Sequence, residues 1–178
     1  MSLKKILAIS GSTRKDSVNS QILHAIKNRY AAKADFIFYD AIDQLPHFNT
    51  ELDKDPLPPS VIAFRKQISE ADGVLICTPE YVFSLPGSFK NAIEWTVSTT
   101  LFTDKPAALI TASSSGQKAH EALNLVMRTV GVRLGQQGSL LISAPKTKIN
   151  MNGEITDTAT ASALAVLMDE FLELFAES

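Results

Sequence analysis

Cysteine is nearly absent. Cys77 is the sole one, so the chain forms no internal disulfide and its stability has to come from a packed core. Lysine and arginine never cluster into a run, and the formal net charge is only -2, so the electrostatic footprint of a nucleic-acid binder is missing. Long apolar stretches are missing too: none approaches the roughly 20 residues of a membrane span. The amino terminus leads straight into a strand pattern without the layout of a secretory signal, and the expected location is the cytoplasm. Histidine is scarce, with three residues, and no His/Cys/Asp/Glu group has the spacing of a metal site. What is present is 178 residues, 45% of them hydrophobic, enough for one domain over residues 1–178 with a core that needs neither metal nor disulfide.

The apolar residues come in short runs and helical stripes that alternate. Lys-Ile-Leu-Ala-Ile-Ser at 5–10 reads as a strand buried on both faces, stopped by Gly11. Ile22, Leu23, Ile26 and Tyr30 recur at helical spacing behind the capping residues Ser17 and Asn19. Residues 34–39 form a second strand. Residues 40–60, with four prolines and no periodicity, read as a long loop bordering a site or a subunit contact, or simply a solvated connector. A helix through Val61, Phe64, Ile68 and Ala71 leads to a third strand at 73–77. Phe89, Ala92, Ile93, Thr96 and Val97 mark the next helix, 107–111 a fourth strand, and 118–134 a helix with Leu123, Val126, Met127 and Val130 on one face. A fifth strand at 138–142 and a closing helix at about 158–176 complete the pattern. Alternating strands and helices imply a parallel sheet with right-handed crossovers and helices on both faces. Five strands fit a flavodoxin-like three-layer sandwich in the order 2-1-3-4-5, with ligand at the carboxyl ends of the strands.

Three loops meet there. The first, residues 10–19, has a glycine at the turn, the hydroxyls of Ser12 and Ser17, Val18 and Asn19 at the helix start, and Arg14. That combination suits a phosphate monoester, because a helix N-terminus carries partial positive charge and unpaired N–H donors. Ser12, Ser17 and Asn19 serve equally as ordinary turn and cap residues. The loop is neither G-x-G-x-x-G nor a Walker sequence, which turns the reading away from dinucleotides and triphosphates. The second loop follows Thr78. Tyr81, Phe83, Leu85 and Pro86 can build an apolar slot for a flat heterocycle, with backbone N–H groups at its edge. Glu80 is a candidate acid or base, more commonly a locally bonded or solvated carboxylate, and Lys90, Asn91 and Trp95 read as surface, hydrogen-bonding and packing residues. The third loop, Ser113, Ser114, Ser115 and Gly116, lets a ligand approach the backbone closely. A serine nucleophile lacks both a G-x-S-x-G elbow and a paired histidine: His24, His47 and His120 read as surface or structural residues, and Cys77 as a small buried hydrophobe.

Taken together, Gly11-Ser12-x-Arg14-x-x-Ser17-x-Asn19 and Pro79-Glu80-Tyr81-x-x-Ser84-x-Pro86-Gly87-x-x-Lys90-Asn91-Ala92-Ile93-Glu94-Trp95 resemble the NADPH-dependent FMN reductases, a flavodoxin-like family that includes quinone, chromate and azo-dye reductases. Leu45-Pro46, Ala71-Asp72-Gly73-Val74 and Ser115-Gly116 extend the resemblance over nearly the whole chain. It implies a non-covalent FMN, its phosphate held by Ser12, Arg14, Ser17, Val18 and Asn19, and its ring against Pro79, Glu80, Tyr81, Val82 and Ser84. Ser113, Ser114, Ser115 and Gly116 would close the far side. It also implies NADPH or NADH as co-substrate, a small-molecule electron acceptor such as a quinone, azo compound, chromate or free flavin, no catalytic side chain, and a homodimer or homotetramer. A flavodoxin, an FMN electron carrier without a small-molecule substrate, is the alternative, and Arg14 and the mild charge argue against it. A fold that has lost its flavin and serves as an interaction module is the third reading. One departure stands out: the family usually has asparagine where this chain has Val82, which supplies no amide to the flavin edge.

Overall fold

The computed structural model describes residues 3–150 and 153–176. Five strands form one parallel sheet in the order β2-β1-β3-β4-β5: β1 (Lys4–Ser10), β2 (Ala34–Tyr39), β3 (Gly73–Thr78), β4 (Pro106–Ser113) and β5 (Arg133–Ser143). The helices are α1 (Val18–Tyr30), α2 (Pro59–Glu70), α3 (Gly87–Glu94), α4 (Gln117–Thr129) and α5 (Thr158–Glu173). The expected fold class and strand order are those observed.

The continuous apolar runs of the central strands follow from burial on both faces. In β1, Ile6 and Ala8 point into a core shared with α1 and α5, while Leu7 and Ile9 point into a second core under α2, α3 and α4. Local signals set the helix starts. The Ser17 hydroxyl accepts from the Ser20 amide ahead of α1, Asp157 accepts from the Thr160 amide ahead of α5, and Pro59 occupies the first turn of α2.

Two boundaries differ from expectation. Helix α4 ends at Thr129 rather than near 134, because Gly131 takes φ 87°, a left-handed conformation that stops a helix. Strand β5 therefore begins at Arg133, not at 138, and carries a bulge: Leu134 pairs with Ala107 and Ser139 with Leu109. The interruption holds two close-packed glycines, and the Gln137 amide there donates to Glu170 Oε2 at 2.6 Å.

The 40–60 connection is anchored along its length. Ile42 and Leu45 enter the core. Asn91 Oδ1 accepts from the Phe48 amide at 2.7 Å, and Asn91 Nδ2 and Trp95 Nε1 both donate to the Pro46 carbonyl at 2.9 and 2.7 Å. Arg65 then holds Asp53 at 2.6 Å while donating through Nε to the Trp95 carbonyl. Asn91 and Trp95 thus act through hydrogen bonds and packing, with Trp95 fully buried.

Candidate active site

Parallel strands direct their carboxyl ends, and the loops that leave them, to one edge of the sheet. A cleft of about 330 Å³ opens there, within the size range of small-molecule sites. Gly11 makes the first loop possible. A Cβ at that position would collide with the Thr78 hydroxyl and lie 2.6 Å from Thr78 Cβ, so only glycine lets the β1 loop cross so close to the end of β3.

The β1 loop and the start of α1 supply donors of the kind an anion needs. Ser12, Arg14, Ser17, Val18 and Asn19 line the cleft. The Ser12 hydroxyl accepts from the Arg14 amide at 3.3 Å and the Ser17 hydroxyl from the Ser20 amide at 3.1 Å. The turn-and-cap roles leave these serines free to contact a ligand, since an oxygen that accepts a local amide can still donate its own proton. Asn19 is buried, and its Oδ1 accepts the Cys77 thiol at 3.3 Å. Burial pushes that thiol's pKa up, so Cys77 remains protonated and inert. The first turn of α1 leaves the Val18 and Asn19 amides without intrahelical acceptors.

The β3 loop adds Pro79 and Tyr81 to the lining and the β4 loop adds Ser113 and Ser114. Ala112, Ala144, Pro145, Lys146 and Thr147 also line the cleft, and the sequence reading named none of them. The last four form a wall after β5, where Ala144 takes φ 49° and its amide donates to the Ser113 carbonyl at 3.0 Å. The signal was available: the carboxyl end of β5 lies on the ligand edge like the others.

Five of the expected residues lie beside the cleft without lining it. Val82 and Phe83 occupy the centre of a two-residue turn closed by reciprocal Tyr81 and Ser84 backbone hydrogen bonds of 2.9 and 3.0 Å. Their φ values of 50° and 57° make it type I′. The Val82 side chain is 95% exposed. It points to solvent, and asparagine suits that position because it tolerates a left-handed backbone. Ser84 closes the turn. Glu80 Oε2 accepts from the Ala119 amide at 3.0 Å and Oε1 from the Ser115 hydroxyl at 3.3 Å, and Gly116 is the α4 N-cap.

The histidines stand apart from the cleft lining. His24 stacks on Phe38 with centroids 4.2 Å apart, and His120 Nδ1 lies 3.1 Å from Thr111 Oγ1. Partial burial lowers the His120 pKa, which keeps it neutral. Among the described residues no His, Cys, Asp and Glu group could hold a metal ion.

The cleft lining therefore has two cations, Arg14 and Lys146, and no carboxylate. The hydroxyls of Ser12 and Ser17 line the cleft with Arg14 from the same loop, and the Tyr81 ring comes from the β3 loop. A flat heterocycle carrying one phosphate, such as FMN, fits that distribution.

Comparison with known proteins points the same way. The sequence profile of the NADPH-dependent FMN reductases matches residues 4–145. A 2-hydroxy-1,4-benzoquinone reductase from a Burkholderia species is 34% identical over 173 residues, covering 94% of this chain and 93% of that protein. An NADPH:quinone oxidoreductase of Arabidopsis thaliana is 33% identical over 172 residues, covering 91% and 87%. The solved structure of FerB, a flavoenzyme NAD(P)H:(acceptor) oxidoreductase from Paracoccus denitrificans, superposes with a TM-score of 0.80 at 29% identity, covering 98% of both chains.

Proposed function

The chain belongs to the NADPH-dependent FMN reductase family, and from that premise we propose that it is an NAD(P)H-dependent oxidoreductase acting on a small acceptor of the quinone class. The observation that carries the reading is that one cleft is lined both by Arg14 with the hydroxyls of the β1 loop and by Tyr81 of the β3 loop. Ser12, Arg14, Ser17, Val18 and Asn19 would hold the phosphate of FMN, and Pro79, Tyr81, Ser113 and Ser114 would flank its ring. FMN held by these residues would supply the redox chemistry, as an acceptor of hydride from a nicotinamide and a donor of reducing equivalents to the acceptor.

What the chain supplies is positioning and charge. Arg14 and the α1 amides neutralise the phosphate. Lys146, with no carboxylate partner among the described residues, adds positive potential on the opposite wall, where negative charge on a ring or an incoming dinucleotide is stabilised. Neither a histidine, a cysteine nor a carboxylate lines the cleft, which supports a reading without a protein proton shuttle. The electron-carrier alternative is disfavoured by quinone-reductase relatives that match across almost the whole chain. A single domain, a homodimeric or homotetrameric assembly and a cytoplasmic location complete the proposal; no described helix is long and apolar enough to cross a membrane.

The deciding measurement is the visible spectrum of the purified protein under anaerobic conditions. Flavin bands should bleach on adding NADPH or NADH and return on adding a quinone. Bound flavin that stays oxidised with both nucleotides would overturn the reductase reading.

A further inference from the structure

Glu80 sits between two residues that line the cleft, Pro79 and Tyr81, yet does not line it. Its carboxylate reaches the N-terminus of α4, an element that begins 37 residues later. There the Ala119 amide donates to Oε2 at 3.0 Å and the Ser115 hydroxyl to Oε1 at 3.3 Å.

Helix α4 needs an acceptor from outside. Its N-cap is Gly116, which has no side chain to offer to the first-turn amides. A capping side chain there would be crowded and strained. The backbone is left-handed at φ 82°, and a Cβ would lie 2.9 Å from Leu141 Cδ1 and 3.3 Å from Thr111 Cγ2. The carboxylate that takes the role also sits at the positive end of the α4 dipole.

The connection continues sideways. The Ser143 hydroxyl donates to the Ser115 carbonyl at 3.2 Å, and the Ala144 amide to the Ser113 carbonyl at 3.0 Å. A chain of hydrogen bonds thus runs from the β3 loop through the β4 loop to the end of β5, joining three walls of the cleft from behind.

We propose that Glu80 is a positioning residue that sets the spacing between the Tyr81 wall and the Ser113–Ser114 wall by capping α4, and that it takes no part in proton transfer. Its functional readout rests on the FMN reductase reading above; its structural readout does not. Both carboxylate oxygens are engaged and neither faces the cleft, so the group acts as an acceptor. The expected consequence is that an uncharged acceptor of the same shape suffices.

The test compares E80A and E80Q with the wild type in three measurements. The first is hydrogen exchange at the Ala119 amide in flavin-free protein, the second the FMN dissociation constant from quenching of flavin fluorescence, and the third quinone turnover at saturating FMN. In E80A the Ala119 amide should exchange at least tenfold faster, and FMN should bind about tenfold more weakly, the loss of one charge-assisted hydrogen bond. In E80Q, whose amide oxygen still accepts from Ala119, both should return to within about threefold of wild type, and turnover with them. Unchanged FMN affinity in E80A overturns the proposal, as does an E80Q protein that is fully loaded with FMN but as slow as E80A, since that pattern identifies a proton-transfer role. Should E80A fail to fold, S115A removes the Ser115 hydroxyl bond to Glu80 Oε1 while leaving the Ala119 cap in place. It should weaken FMN about threefold with Ala119 still protected, and an unaltered affinity there sinks the idea. The Ala119 exchange is read without flavin, so it decides the cap independently of whether the protein proves to be a reductase.

Discussion

Arg14 and Val82 show two ways in which a single residue's role depends on its surroundings. Arg14 lines the cleft beside the first turn of α1, where an anion would meet a charged fork and helix amides together. Arg14→Ala should weaken FMN by roughly 1.5–3 kcal/mol while leaving riboflavin affinity nearly unchanged. Parallel titrations of the two flavins check this, and an equal loss for both would remove Arg14 from the phosphate. Val82 is a β-branched residue held at φ 50° with its side chain in solvent. A left-handed backbone costs such a residue about 1–2 kcal/mol, and asparagine bears it better. Val82→Asn should therefore stabilise the protein by about 1 kcal/mol, read from the urea midpoint; a fall in that midpoint would show that the turn geometry carries no such strain. The sequence exposed Val82 as the departure from the family's usual asparagine. Which way the side chain points was not legible, because a turn of reciprocal backbone bonds between Tyr81 and Ser84 sets it.

At the scale of elements, the clamp between α3 and the 46–48 segment is the informative case. Prolines and scattered charges made residues 40–60 read as an irregular connection, and in regular secondary structure they are indeed poor. Its order comes from elsewhere: Asn91 and Trp95 on α3 satisfy the Pro46 carbonyl, and Asn91 also satisfies the Phe48 amide. Asn91→Ala removes both Asn91 bonds and leaves the Phe48 amide unsatisfied, which should cost about 1–3 kcal/mol. Chemical denaturation measures the loss, and proteolysis should find new cleavage between 46 and 58. An Asn91→Ala protein as stable and as resistant as wild type would mean that Ile42 and Leu45 anchor the segment unaided. The α4 and β5 boundaries were misplaced for a related reason. The apolar spacing through Val130 continues the helix on paper, but Gly131 turns left-handed and the chain enters β5 five residues sooner than the apolar run suggests.

Over the whole molecule, one sheet separates two cores, with α1 and α5 on one face and α2, α3 and α4 on the other. Because each central strand contributes to both cores, neither layer can come apart alone. Trp95, the sole tryptophan, lies in the second core, so its fluorescence follows one layer while far-ultraviolet circular dichroism follows both. The two urea transitions should coincide, as a single cooperative domain requires; separated midpoints would divide the chain into two units. By itself the sequence determined the element order, the parallel sheet, the polar loops at its carboxyl edge and the family. All of these are written in local periodicity and in contiguous motifs. Only the tertiary structure decided how the segment after β5 is tied to the β4 loop as a fourth wall, and that Glu80 turns from the cleft to cap α4. Those outcomes depend on bonds between residues far apart in the chain, 39 positions in the case of Glu80 and Ala119, and no local pattern carries the geometry of such a pair.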